Sequence, residues 1–195
     1  RQTMANESNT KVVTGLVRFS YVHIFEPTAI DENSDEKYSI SIIIPKADTK
    51  TLIASRSGFE AAKELGKSGK WGGKLPAKLK LPLRDGDEDR PEDEAYKDSY
   101  FINCTSKQQP GIVDKQVNPI LDASEVYSGC YGRVSINFYP FDASGNKGVA
   151  AGLNHVQKLK DGEPLGGRGS AEDDFGDGFG DGFGDEFGDD DDFLD

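Results

Sequence analysis

The C-terminal 25 residues, 171–195, are the part of this chain least able to join a folded core. They contain twelve acidic residues and no lysine or arginine, and Phe-Gly-Asp recurs in them with a period of four. A segment with so much charge and so few aliphatic side chains cannot bury enough apolar surface to offset the entropy lost on ordering. We therefore predict a disordered acidic tail over 168–195 and one folded domain over 11–167, preceded by a disordered N-terminus over 1–10.

The tail also accounts for the net charge of −12. The whole chain has 35 acidic and 23 basic residues, so removing the twelve acids of the tail leaves 23 of each sign in residues 1–170. Within this neutral body the charges are separated, because residues 46–80 hold nine bases and three acids whereas residues 85–98 hold eight acids and two bases. Such poles create local potentials, so the acidic pI does not exclude a polyanionic partner.

The folded domain is predicted to be mainly β. Stretches rich in β-branched and aromatic residues, or alternating between polar and apolar, predict five strands, the first of them kinked at Gly15. These strands cover residues 12–21, 38–44, 100–105, 131–139 and 149–159. One helix is predicted to begin after the N-cap residue Asp48 and to end at Gly66. This pattern favours an OB-fold, a five-stranded Greek-key barrel with one main helix and inserted loops, and a β-sandwich is the alternative.

The predicted strand over 131–139 separates into two chemically different faces. Gly132, Val134, Ile136 and Phe138 alternate with two tyrosines, an arginine and two hydrogen-bonding residues. The second set is the chemistry of a stacking platform, in which rings hold bases, a guanidinium holds a phosphate and an amide reaches base edges. A solvated strand face is the alternative. The platform residues on this strand are Tyr131, Arg133, Asn137 and Tyr139. Arg18 and Tyr21 are expected to extend the platform on a neighbouring strand, and packing is the alternative for each of them.

The segment between the helix and the third predicted strand is rich in glycine and lysine and contains the only tryptophan, Trp71. In such a loop a tryptophan is either a lid over the barrel or a ring that stacks on a base. Lysines beside it would place phosphates, and ordinary surface charge is the alternative. The lysines predicted to bind phosphate are Lys46, Lys70, Lys74, Lys78 and Lys80.

The sequence predicts no enzyme, cofactor or metal site. The two cysteines are 26 residues apart without a CxxC pair, which indicates two reduced, buried thiols. The acidic run that begins at Asp85 fails as an EF-hand, because Arg90 and Tyr96 occupy the positions of the required glycine and glutamate. P-loop, nucleophile-elbow and zinc-protease motifs are missing. We expect a cytoplasmic protein, because no segment has the composition of a signal peptide or a membrane span.

Several motifs in order along residues 11–170 resemble one family, the phage single-stranded-DNA-binding proteins. They are Val-Val-Thr-Gly-Leu-Val-Arg-Phe-Ser-Tyr at 12–21, Phe-Glu-Pro at 25–27, Pro-Lys at 45–46 with Asp48, Arg-Asp-Gly-Asp at 84–87, Tyr-Ser-Gly-Cys at 127–130, Asn-Lys-Gly-Val-Ala-Ala-Gly-Leu at 146–153, and Asp-Gly-Glu-Pro-Leu-Gly-Gly at 161–167. The resemblance implies an OB-fold that binds single-stranded DNA without sequence preference. It further implies protection of that DNA during phage replication or recombination, in the cytoplasm of the infected bacterial host, and a mobile acidic tail.

The regular rings and carboxylates of the tail imitate a single strand, so we expect the tail to compete with DNA and, once displaced, to recruit replication or recombination proteins. Its expected contacts are Phe175, Phe179, Phe183, Phe187, Asp189, Asp190, Asp191, Asp192, Phe193 and Leu194. Two other functions are consistent with the sequence. One is an interaction protein, a DNA mimic or acidic chaperone, whose functional element is the tail. The other is an RNA-binding OB protein.

Overall fold

A computed structural model describes residues 9–29, 32–143 and 145–165. The predicted tail contacts therefore lie outside the described residues. The strands of the described part are β1 (Lys11–Val13), β2 (Val17–Thr28), β3 (Lys37–Pro45), β4 (Leu79–Lys80), β5 (Leu83–Asp85), β6 (Ser99–Ser106), β7 (Gly111–Val113), β8 (Tyr131–Ala143) and β9 (Asn146–Lys160). The helices are α1 (Thr49–Ser68) and the single turn α2 (Gly86–Asp89), with 3₁₀ turns at Glu94–Tyr96 and Ala123–Glu125.

Five of these strands close into a barrel. The order of hydrogen-bonded neighbours is β8, β2, β3, β6 and β9, and β9 pairs again with β8. The pairing of β6 with β9 is parallel, at Cys104 opposite Ala151, and the other pairings around the ring are antiparallel. A closed, five-stranded barrel with one main helix confirms the predicted OB-fold.

The alternation predicted for β8 is present in the barrel. Val134, Ile136 and Phe138 are at most 2% exposed, whereas Arg133 before them and Tyr139 after them face solvent. The inward residues meet apolar side chains of the other strands, such as Phe19 of β2. Each large apolar side chain buried in this way contributes about 1.5–3 kcal/mol, so the interior of the barrel supplies the main driving force for folding.

Helix α1 begins as predicted, but it ends later. The Asp48 side chain accepts a hydrogen bond from the Thr51 amide at 3.1 Å, which caps the first turn. The helix continues through Gly66 to Ser68, and the cap residue is Gly69. It packs on β8, where the missing side chain of Gly58 leaves room for the Phe138 ring. Within the described ranges, no helix is long and apolar enough to cross a membrane.

The strand boundaries differ from the prediction mainly where elements are short or irregular. The segment that we predicted as one kinked strand is divided into β1 and β2 around Gly15, whose amide donates to Thr51 Oγ1. Strand β2 then extends to Thr28, beyond the predicted strand end at residue 21. Strands β4, β5 and β7 have only two or three residues, too few to show a periodic pattern. Thr10 is also buried, so the folded part begins before residue 11.

Both thiols are buried and free, so we expect them to be unreactive in the folded protein. Cys104 and Cys130 are 0% exposed, and burial raises the pKa of each thiol. Reaction with the thiol reagent DTNB requires an exposed thiolate, so we expect it to run at least roughly a hundredfold more slowly in buffer than in urea. An absorbance time course in both solvents measures this ratio. Rapid modification of either cysteine in buffer would contradict the burial.

Candidate nucleic-acid interface

An open groove of about 740 Å³ runs over the outer face of β2, β3 and β6 and the connection between β2 and β3. It is lined by Tyr21, Thr28, Ser34, Asp35, Lys37, Ser39, Ile40, Ser41, Arg90, Asn103 and Thr105. In OB-folds, this combination of the second and third barrel strands with the first loop is where oligonucleotides and oligosaccharides bind. The groove is therefore the first place in this structure to consider for a nucleic-acid strand.

The floor of the groove is polar because two paired strands turn hydroxyl and amide side chains to the same face. Ser39 lies opposite Thr105, and Ser41 lies opposite Asn103, in the antiparallel register of β3 with β6. The Ser41 hydroxyl is buried and lies 3.1 Å from the Tyr96 hydroxyl. The more accessible side chains of Ser39, Asn103 and Thr105 can hydrogen-bond base edges or sugars.

An aromatic ring and a guanidinium stand at the wall of this groove. Tyr21 is 53% exposed, and the Arg90 guanidinium lies 5.5 Å from its ring centre. The backbone of Tyr21 has φ +47°, and the register of β2 with β3 shifts between Ser20 and His23. A bulge of this kind changes the direction in which a side chain points. Tyr21 is the one residue of our predicted DNA contacts that lines the groove.

The predicted platform on β8 lies on another face of the barrel, and its side chains have partners within the protein. Asn137 donates to Thr10 Oγ1 and accepts from Asn154. Arg133 is exposed but donates through Nε to the Thr14 carbonyl at 2.9 Å. Tyr139 is 42% exposed. The face is therefore available to solvent at its ends, and its DNA contacts stay a prediction.

Arg18 and Tyr131 hold the end of the body in place. The centre of the Tyr131 ring lies 5.4 Å from the Arg18 guanidinium and 4.8 Å from the Lys160 ammonium. Arg18 also donates to the Gly129 carbonyl at 3.1 Å and to the Glu163 carbonyl at 2.6 Å. These contacts clamp the segment that follows β9 onto β2, so Arg18 is engaged in the structure as it stands.

The base-stacking interpretation of Trp71 is wrong, and the lid interpretation fits. Its ring is 5% exposed, and its Nε1 donates to the Phe141 carbonyl at 3.1 Å. The ring packs on Gly66, where an added Cβ atom would come within 2.8 Å of it. A ring enclosed in this way cannot stack on a base without leaving the core.

Lys46 is also not a free phosphate ligand in this structure. Its ammonium lies 3.0 Å from Asp85 and 2.9 Å from Asp87. Hydrogen bonds to Asp87 and then Asp85 raise the pKa of Lys46, and the same ion pair lowers the pKa of Asp87. The lysine therefore holds the start of the acidic segment. Across the described ranges, no three His, Cys, Asp or Glu residues are placed to hold a metal ion.

The other predicted lysines remain exposed. Lys70, Lys74 and Lys78 lie in the loop after α1, and Lys80 lies in β4. Strand β4 pairs with the start of β9, next to the β8–β9 hairpin. This hairpin is the second loop through which OB-folds contact oligonucleotides. The fold thus brings part of the lysine-rich segment close to the β8–β9 hairpin.

Most of the groove does not follow from the sequence alone, but one part of it does. The serines of β3 alternate with Ile40 and Ile42, so the parity argument used for β8 also predicts a polar outer face here. The sequence did not indicate that Arg90 is a binding residue, because it lies among acidic residues that suggest a solvated loop. Its place in the groove comes from the tertiary fold.

Comparisons with known proteins agree with this architecture. The family model described as the ssDNA-binding protein of Enterobacter phage Enc34 matches residues 10–194. The chain belongs to this family. A curated relative, the putative protein p50 of Acyrthosiphon pisum secondary endosymbiont phage 1, is 30% identical over 171 residues, which cover 83% of this chain and 89% of the relative. The resemblance noted in the sequence is thereby confirmed, and this is a family of binding proteins rather than of enzymes.

Solved structures show the same fold. The Enc34 phage single-stranded DNA-binding protein in complex with ssDNA superposes with a TM-score of 0.72 at 25% identity, covering 80% of this chain and 90% of that one. The gp2.5 single-stranded DNA-binding protein encoded by bacteriophage T7 has a TM-score of 0.59 at 16% identity, covering 86% and 93%. The second likeness concerns the fold alone.

Proposed function

We propose that this protein binds single-stranded DNA without sequence preference and protects it during phage DNA replication or recombination, in the cytoplasm of the infected bacterial host. The groove over β2, β3 and β6 supports this function best, because it combines a polar floor with Tyr21 and Arg90 at its wall. Homologues in the Enc34 family bind single-stranded DNA. Rings and cations that do not read base edges give binding that tolerates any sequence.

The proposed path of the strand begins in the groove and continues towards the β8–β9 hairpin. There the exposed lysines of the loop and of β4 would meet phosphates. The outer face of β8 extends this path through Arg133, Asn137 and Tyr139. Arg18 and Tyr131 would join it if DNA releases them from their present contacts. The neutral body thus offers local positive charge to a polyanion.

Binding of the full chain to labelled oligo-dT, measured by fluorescence anisotropy over a series of salt concentrations, tests this function. Each phosphate neutralised on a single strand contributes about −0.7 to the slope of log K against log salt, so we expect a steep decrease. Oligo-rU and a duplex of equal length are the matched ligands. Preference for oligo-rU would favour the RNA-binding alternative, and no binding by the full chain or by its tailless form would contradict the proposal.

For the tail, we propose competition with DNA and recruitment of replication or recombination proteins. A tail on a flexible connection reaches an effective concentration of order millimolar, so even weak occupancy of a cationic surface excludes DNA. Displacement by DNA then frees Phe193 and Leu194, beside four aspartates, for a partner such as a polymerase, helicase or recombinase.

Deleting residues 171–195 is expected to raise the affinity for oligo-dT by about tenfold at low salt, because the tethered competitor is removed. The gain should shrink as salt screens both interactions. Anisotropy titrations of the full chain and of the form without residues 171–195 measure this gain in affinity. A full-length variant with Phe175, Phe179, Phe183 and Phe187 changed to serine shows whether the rings are needed. Equal affinities and equal salt slopes with and without the tail would rule out competition.

A further inference from the structure

Arg90 is a cation held by three aromatic rings at the wall of the groove. Its guanidinium lies 4.9 Å from the ring centre of Phe101, 5.0 Å from that of Tyr96 and 5.5 Å from that of Tyr21. Tyr96 and Phe101 are themselves buried and meet edge to face, with ring centres 5.1 Å apart. Cation–π contacts with buried rings fix the position of a guanidinium. The Arg90 guanidinium therefore has a fixed position before any ligand binds.

In the described part of the chain no carboxylate pairs with this cation, although acidic residues surround it in the sequence. The neighbouring carboxylates of Asp85 and Asp87 pair with Lys46, and Asp89 pairs with Arg84 at 2.7 Å. Among the described residues, Arg90 forms no ion pair, and its buried Nε atom has no hydrogen-bond acceptor. Arginine cannot lose its charge, and an unpaired buried donor is costly. An anion that entered the groove would supply the counter-charge that the guanidinium lacks among the described residues.

Tyr21 presents its ring beside that cation in a backbone conformation that costs energy. A bulky residue at φ +47° is unusual, and such strain persists only where the surrounding structure imposes it. The bulge that imposes it places the ring against Arg90, yet leaves the side chain half-exposed. A flat, partly exposed ring next to an ordered guanidinium suits a ligand with one flat group and one anionic group.

We propose that Arg90 binds a phosphodiester of the single strand and that Tyr21 stacks on the adjoining base, so that the two residues form one nucleotide-binding unit in the groove. The planar fork of a guanidinium matches two phosphate oxygens. This inference rests on the proposed function but adds to it, because Arg90 lies in a segment whose charge otherwise repels DNA.

The test compares Arg90→Gln and Tyr21→Ala on two ligands, oligo-dT and an abasic deoxyribose-phosphate strand of equal length. Arg90→Gln should lower the affinity for both ligands by about tenfold or more and reduce the magnitude of the salt slope by about 0.7. Tyr21→Ala should lower the affinity for oligo-dT by between about fivefold and a hundredfold. Its affinity for the abasic strand should stay within about twofold of that of the unmodified protein. Arg56→Gln is the matched control, because Arg56 is exposed on α1 outside the groove, and it should leave both affinities unchanged.

Arg90→Lys separates a ligand contact from a structural role. Lysine keeps the charge but not the fork, so the salt slope should be retained while the affinity for both ligands decreases. Fluorescence of the buried Trp71 reports whether each variant is folded. If Arg90→Gln does not fold, the Arg90→Lys result decides. Folded Arg90 variants that bind oligo-dT as tightly as the unmodified protein would overturn the inference, whereas an unmodified protein that does not bind would overturn the proposed function itself.

Discussion

Changing Lys70, Lys74, Lys78 and Lys80 together to glutamine is expected to lower the affinity for oligo-dT by several hundredfold at about 0.1 M salt. If each lysine neutralises one phosphate, the slope of log K against log salt becomes smaller in magnitude by about 2.8. Between 1 M and 0.1 M salt, the affinity of the variant would therefore fall behind that of the unmodified protein by several hundredfold. The four side chains are exposed, and the pairing of β4 with β9 brings the segment beside the β8–β9 hairpin. Anisotropy titrations from 0.05 to 0.5 M salt measure the change.

A second fourfold variant serves as the control for net charge. Lys50, Lys97, Lys107 and Lys115 are exposed lysines scattered over other parts of the body. Their replacement by glutamine changes the total charge equally, so we expect a much smaller change of slope. Equal slopes for the two variants would show that the lysine-rich loop has no special role in binding.

The Trp71→Ala variant is expected to unfold more easily by about 3–5 kcal/mol, the usual cost of removing a large aromatic side chain from a core. Trp71 joins the end of α1 to β8, through its packing on Gly66 and its hydrogen bond to the Phe141 carbonyl. Urea denaturation followed by far-UV circular dichroism measures the change. Trp71→Phe should recover most of the lost stability, because it keeps a ring in the cavity.

The Trp71→Ala variant also tests whether the Trp71 ring stacks on a base. Under conditions where Trp71→Ala remains folded, its affinity for oligo-dT should stay within about threefold of the unmodified protein. A loss near that of a stacking residue, roughly 1–3 kcal/mol per base, would return Trp71 to the DNA interface. A small loss of stability would instead mean that its ring leaves the core readily.

The sequence was most informative for elements whose structure follows from their own residues. Alternation along β8 separates core from surface without reference to any other element, and the Asp48 cap marks the start of α1 by local chemistry alone. Motifs shared with a family then selected the barrel over the sandwich. Short strands such as β4 and β7 carry no such signal, because pairing with β9 and not their own residues defines them.

The groove could not be predicted in the same way, because it depends on residues brought together from distant segments. Asn103 and Ser41 become neighbours only through the register of β3 with β6. The bulge at Tyr21 interrupts parity, and the position of Arg90 depends on the rings that enclose it. For Trp71, a loop of lysines and glycines suggests exposure, whereas the space above Gly66 buries the ring.

The clamp at the end of the body determines where the acidic tail is tethered. Besides the contacts of Arg18 with Glu163, the Tyr127 hydroxyl accepts from the Gly162 amide and donates to Asp161, and Lys158 lies 2.6 Å from Asp161. The connection to the tail therefore starts from a fixed point on β2, three residues before Tyr21, and not from a fraying strand end. If the tail competes with DNA as proposed, the distance along the chain from this fixed point would set its effective concentration, and inserting residues after the fixed point would change the strength of the competition.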